Sequence, residues 1–232
     1  MNGLFSLTER ETCFVATYYR AALDVHSLVV LNDPKHFEAI AQLARTLFEL
    51  AVDMRLLGVV DRGADKMMAF SDLERLKSAR ELVELGDADA ETSLAAAFIR
   101  DRETTITARK GGLWPNGGRL NHWSGMDLPT RVKSLRAPFD EMHKAHYRRL
   151  SWYVHPGLAG VVNFEAAAFE AVAGMALQVA AECYEDILRA LISEIQLSKV
   201  VEDIYKRLEF ARVLAFADNA EQAEALRREM LS

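Results

Sequence analysis

Cysteine is almost absent: Cys13 and Cys183 stand far apart and neither has a CxxC partner. That excludes a zinc knuckle or a redox dithiol and leaves two buried thiols as the simplest reading. No GxxxxGK[ST] loop, GxSxG elbow or HExxH pair occurs, which disfavours P-loop nucleotide hydrolases, serine hydrolases and zincins. The longest apolar-looking stretch, Ala166 to Ala181, is built on small alanines and broken by Glu170 and Gln178, so it reads as a packed helix and not as a membrane span. Before Thr8 there is no basic region followed by an apolar run, so no secretory signal is read and a cytoplasmic location is expected. Alternating β-branched runs bounded by turns are also missing. Periods of 3.6 residues dominate instead, and the expected fold is all-α.

What is present is ordinary globular material. Half of the 232 residues are hydrophobic and 27% are charged, enough for a sizeable core without disulfides. We expect a single all-α domain over 1–232, a bundle of about seven or eight helices with one long loop at 110–128. A first helix runs from an N-cap at Thr8, with Glu11 three residues on, to about Leu31. Asn32-Asp33-Pro34 breaks the chain, and a second helix runs from Pro34 to about Leu57, with Gly58 as its exit. In this helix Leu43, Leu47, Leu50, Met54 and Leu57 form one apolar row, and Ala41, Ala44, Phe48, Ala51 and Val52 form another. Only the line Glu38, Gln42, Arg45, Glu49 and Asp53 stays polar, so the helix belongs at the centre of the bundle. Helices follow over about Asp65 to Leu85, Ala90 to Arg109, Pro138 to Val154 and Asn163 to Ile195, with a short turn near Pro129 to Arg136. Ser198 and Asn219 open two terminal helices. Their mixture of charge and leucine suits either a dimer arm over 198–232 or packing back on the bundle.

One segment differs from the rest. Between Arg109 and Arg149 stand nine Lys/Arg and three Asp/Glu, a net of +6 inside a chain of formal charge -6. Such a reversal of sign points to a polyanion partner. Within it the stretch Gly111 to Asp127 is rich in glycine and is expected to be irregular. Trp114 and Trp123, with Arg119, His122, Arg109 and Lys110, are the aromatic and basic mixture that suits single-stranded nucleic acid. The same tryptophans also suit a lid anchored on the bundle. His143 and His146 have HxxH spacing, but no third ligand stands at helical spacing, so neither a metal nor another cofactor is expected.

The strongest constellation is Tyr147-Arg148-Arg149-Leu150-Ser151-Trp152-Tyr153-Val154-His155-Pro156-Gly157. On a helix Arg148, Ser151 and His155 share one face. An arginine fork that holds a phosphate beside a histidine that exchanges a proton near neutral pH suits phosphodiester cleavage. A histidine that caps the helix, with solvated arginines, fits the spacing too. Arg148 or Arg149 followed by His155 resembles the Arg-x(4–6)-His signature of the HEPN superfamily, although Leu150 stands where that pattern usually has a polar residue. The resemblance implies an all-α, often dimeric fold and a metal-independent ribonuclease. In it the arginine and histidine, paired across a homodimer, promote attack of a ribose 2′-OH on its own phosphate.

Ala44-Arg45-Thr46-Leu47-Phe48-Glu49-Leu50 together with Leu150 to Gly157 is similar to an uncharacterised bacterial helical family of unknown function. That likeness directs attention to Arg45, Glu49 and His155 as one group, in which Glu49 orients the imidazole and Arg45 binds an anion. A plain ion pair between Arg45 and Glu49 has the same spacing. Two functions follow as expectations: binding, with cleavage, of RNA or another phosphate-bearing partner, or a non-catalytic helical adaptor of a bacterial defence or regulatory system.

Overall fold

The computed structural model describes residues 7–86, 90–115, 120–154 and 166–195. The chain divides into two units, Met1–Ala190 and Leu191–Ser232. The described residues are helical, with no strand among them, so the fold is the all-α one expected. The proposed arm at 198–232, with its helix starts at Ser198 and Asn219, lies outside the described residues, as does Asn163.

Helix α1 spans Glu9–Val30 and begins in the capping box that the sequence implied. The Glu11 N–H donates to Thr8 Oγ1 at 3.2 Å while the Thr8 N–H donates to Glu11 Oε2 at 2.8 Å, so two orphan donors are satisfied reciprocally. Asp33 Oδ1 accepts from the Lys35 N–H and starts a 3₁₀ turn at Pro34–His36, after which α2 covers Phe37–Val59. Gly58 is therefore inside α2 and is not its exit. The helix continues because Val60 N–H still reaches Leu56 O at 2.9 Å and Arg10 Nη1 caps Leu57 O at 2.9 Å. The reversal falls to Arg62, whose φ of 53° is left-handed.

The apolar faces of α2 are buried. Ile40, Ala41, Ala44, Leu47, Phe48, Ala51, Val52, Met54, Leu56 and Leu57 are each at most 1% exposed, and the helix touches α1, α3, α5 (Leu128–Leu135) and α7 (Arg148–Val154). α3 (Gly63–Leu85) and α4 (Ala90–Leu113) form a hairpin whose antiparallel register is fixed by Arg80 with Glu103 and by Arg109 Nη1 with Asp72 Oδ2 at 3.9 Å. α3 ends on Gly86 at φ 77°, the left-handed conformation that glycine adopts without strain.

The stretch from Gly111 begins as helix, which corrects the sequence expectation. Each helical glycine costs about 1 kcal/mol against alanine. The cost is met because α4 must reach Leu113 and Trp114, which bury with Ala69 and the partly buried Phe70, Leu73 and Leu120. The expected single helix from Pro138 to Val154 is also divided. α6 (Phe139–Met142) and α7 (Arg148–Val154) are joined by a π-helical turn at His143–Tyr147. In an α-helix, residues four apart drift by about 40° around the axis. A turn closed i→i+5 rotates less per residue and cancels that drift. Phe139, His143 and Tyr147 thus stay over one ring, Phe48, at centroid distances of 6.1, 6.3 and 5.1 Å.

Phe48 is the hub of this packing and is fully buried. Phe48→Ala is expected to cost about 3–5 kcal/mol. Chemical denaturation measures it, and a loss below about 1 kcal/mol would contradict the packing described.

Candidate functional site

The polar line of α2 begins exposed, at Glu38 and Gln42, and meets other segments from Arg45 onward. There it forms two clusters, each holding a distant segment to the helix. Asp53 is the lower one, where a buried arginine and a histidine meet one carboxylate. Arg131 Nη1 donates to Asp53 Oδ1 at 2.8 Å, and His122 Nε2 lies 2.9 Å from Oδ1 and 3.1 Å from Oδ2. On the other side of the imidazole, the Ser124 N–H points at Nδ1 (3.1 Å) and Ser124 Oγ lies 2.8 Å from it. A backbone donor at Nδ1 makes Nδ1 the acceptor and leaves Nε2–H to donate to Asp53. Arg131 Nη1 is also 2.8 Å from Nε2, so Asp53 is what holds the two donors side by side. Asp127 caps α5 by accepting from the Thr130 N–H at 3.0 Å, which aims Arg131 inward. The loop is thereby pinned to α2.

Tyr147 organises the upper cluster. Its hydroxyl donates to Glu49 Oε1 at 2.6 Å and accepts from Arg45 Nη2 at 3.0 Å, and the Arg45 guanidinium sits 5.0 Å from the ring centroid. Burial, followed by the hydrogen bond to Glu49, raises the phenol pKa, so it stays a donor. Arg45 and Glu49 are only 4.0 Å apart, a marginal ion pair, and Tyr147 bridges them. Their expected roles toward His155 lie outside the described residues, which do not include that histidine. Within them, both groups are engaged by Tyr147.

The inner face of α7 is fixed by Leu150, fully buried, and by Ser151 Oγ, which donates to Tyr147 O at 2.9 Å. Its outer face carries Arg148 and Arg149, both exposed and with no ion pair among the described residues, and Trp152, 62% exposed. Three other cations of the basic segment are engaged: Arg109 with Glu9 and Asp72, Arg131 with Asp53, and Lys144 with Asp140 at 2.6 Å. Trp114 and Trp123 are 9% and 3% exposed, so they anchor the loop and have no free face for a base. Arg119 lies outside the described residues. His143 is buried and stacked on Tyr147, and among the described residues no three His, Cys, Asp or Glu gather around a point where a metal could sit.

Sequence reasoning missed Arg131, Tyr147 and Trp152. Arg131 and Tyr147 gave no local sign, because their partners stand 78 and 98 residues away. Trp152 was visible, one turn from both arginines, and the aromatic-plus-basic rule applied to the loop would have found it.

Two tests follow from this geometry. Asp53→Ala strips the carboxylate from Arg131, itself 5% exposed, and is expected to cost about 3–5 kcal/mol because a buried charge is left unpaired. Thermal unfolding with tryptophan emission reads both the loss and the loop's release, and an unchanged melt would remove Asp53 as the anchor. His143 has its pKa lowered by desolvation first and by Arg148 second, with an opposing pull from Asp140 and a smaller push from Lys144. The folded protein therefore binds this proton less readily than the unfolded chain. The contribution is whole above the unfolded value of about 6.5 and is lost as pH falls through the folded one. Denaturation curves between about pH 8 and pH 5 are expected to lose stability in wild type and to lose less in His143→Phe.

A family described only as one of unknown function, DUF5677, matches residues 12–165, a span that contains both segments of the likeness to an uncharacterised helical family. No curated protein and no solved structure matches the chain. The match takes in α1 to α7 with both clusters of α2, and the chain belongs to that family of unknown function.

Proposed function

We propose that the outer face of α7 binds RNA, or another phosphate-bearing polymer, and that Arg148 or Arg149 acts with His155 in metal-independent cleavage. The observation that carries this reading is the pair of exposed arginines, without ion pairs among the described residues, on a helix whose inner side is locked to α2. A guanidinium that is not paired offers its planar fork to a phosphate. The likeness of Arg148-Arg149…His155 to the HEPN signature supports the same assignment.

In the proposed reaction the arginine holds the scissile phosphate while the imidazole of His155 takes the proton of the adjacent ribose 2′-OH. The new O2′–P bond forms as the P–O5′ bond breaks. The departing oxygen takes a proton, and the products are a 2′,3′-cyclic phosphate and a 5′-OH. As the likeness implies, the arginine and histidine meet across a homodimer, in the cytoplasm where RNA is available.

Purified full-length protein is expected to bind RNA with an affinity that falls as salt rises, because phosphate contacts release counterions. Arg148→Glu with Arg149→Glu should abolish binding, and His155→Ala should keep binding and lose cleavage in the presence of a chelator. Salt-independent affinity would end the polyanion reading, and equal cleavage by His155→Ala would end the catalytic one.

The second reading, a non-catalytic helical adaptor, is favoured by α1. Tyr19, Leu23 and Val30, with His26 between them, follow a 4-3-4 spacing and the three apolar side chains are 65%, 47% and 71% exposed. Such a line on the outside of a helix suits a partner helix. It becomes the working function if RNA binding is absent.

A further inference from the structure

We propose that the α7 face selects unpaired over duplex RNA, by stacking a splayed base on Trp152 between the two arginines; this rests on the RNA reading above. An indole left 62% open to water is a large apolar surface that the fold does not use. On α7, Arg149 and Arg148 stand three and four residues before Trp152, the spacings that place side chains side by side on a helix. The ring therefore projects beside two exposed cations that have no ion pair among the described residues.

The platform is also rigid. Leu150 is fully buried beneath it, Ser151 is tied to Tyr147 O, and the ring of the next residue, Tyr153, meets Phe37 edge-on at 5.8 Å. A base can gain from such a surface only if its face is free. In a duplex the faces are stacked on their neighbours, and the A-form major groove is too narrow for side chains to read. Cations alone do not make this distinction, since both forms of RNA present phosphates. The ring does, and one stacked base contributes about tenfold in affinity or more.

The experiment measures Kd by fluorescence anisotropy for a labelled single-stranded oligouridine and for a labelled RNA duplex of equal length, with full-length wild type, Trp152→Ala, Trp152→Tyr and the double arginine variant. Matched thermal melts confirm folding, which is expected because the side chain is exposed. Wild type should prefer the single strand. Trp152→Ala should weaken it about tenfold or more with the duplex unchanged, and Trp152→Tyr, which keeps a ring, should recover most of the loss. Equal weakening of both forms, or none, overturns the stacking role, and binding that then still depends on Arg148 and Arg149 leaves the RNA reading intact. Absence of RNA binding by wild type overturns both.

Discussion

A helix packed against several neighbours turns the carboxylates at the edge of its buried face toward the segments that pack on it. α2 is in that position, and Asp53 is where the consequence is greatest. Its two oxygens collect a guanidinium 5% exposed and an imidazole, both from a segment that contains no long helix. Such an ion pair adds little over an apolar contact of the same size, but removing one partner is expensive. It acts as a register pin: the loop can sit on α2 in only one place, where Arg131 finds Asp53 and Ser124 finds the far side of the imidazole.

The same logic, one and two turns earlier along α2, sets the orientation of α7. Glu49 and Arg45 are far enough apart for a tyrosine hydroxyl to stand between them, donating to one and accepting from the other. Tyr147 ends the π-helical turn, so fixing its hydroxyl fixes where α7 starts and which side faces inward. Leu150 then buries, and Arg148, Arg149 and Trp152 are left outside. The exposed face is thus a consequence of the buried one. Nothing on the surface has to hold the arginines in place.

Much of the fold was legible in the chain and the pairing was not. The two apolar rows of α2, the capping box at Thr8 and the helix stop at Leu85–Gly86 follow from local rules, which need only a few neighbouring residues. The polar line of α2 was also plain, but reading it as a ready ion pair missed Tyr147 and Arg131, because hydrogen bonds that span many tens of residues leave no periodic trace. Gly111 and Gly112 misled for a different reason. Their low helix propensity is overcome by burial of Leu113 and Trp114, a tertiary gain that local propensity does not contain. The loop tryptophans were read for base stacking and as anchors alike; only coordinates show their faces covered, while the open ring belongs to Trp152.

The charge reversal of the segment Arg109 to Arg149 takes a different meaning once its partners are known. A count of cations treats each as available, yet three of the nine pair with carboxylates. Arg109 ties α4 to α1 and α3, Arg131 ties the loop to α2, and Lys144 pairs within its own helical run. Of the remaining six, Arg148 and Arg149 stand together on one short helix, beside an indole, with no acidic residue in α7. A diffuse positive segment would attract polyanions weakly and without preference. Pairing three of the nine leaves two of the others side by side on one short helix, and the tie from Tyr147 to Glu49 and Arg45 is what turns that face of the helix outward.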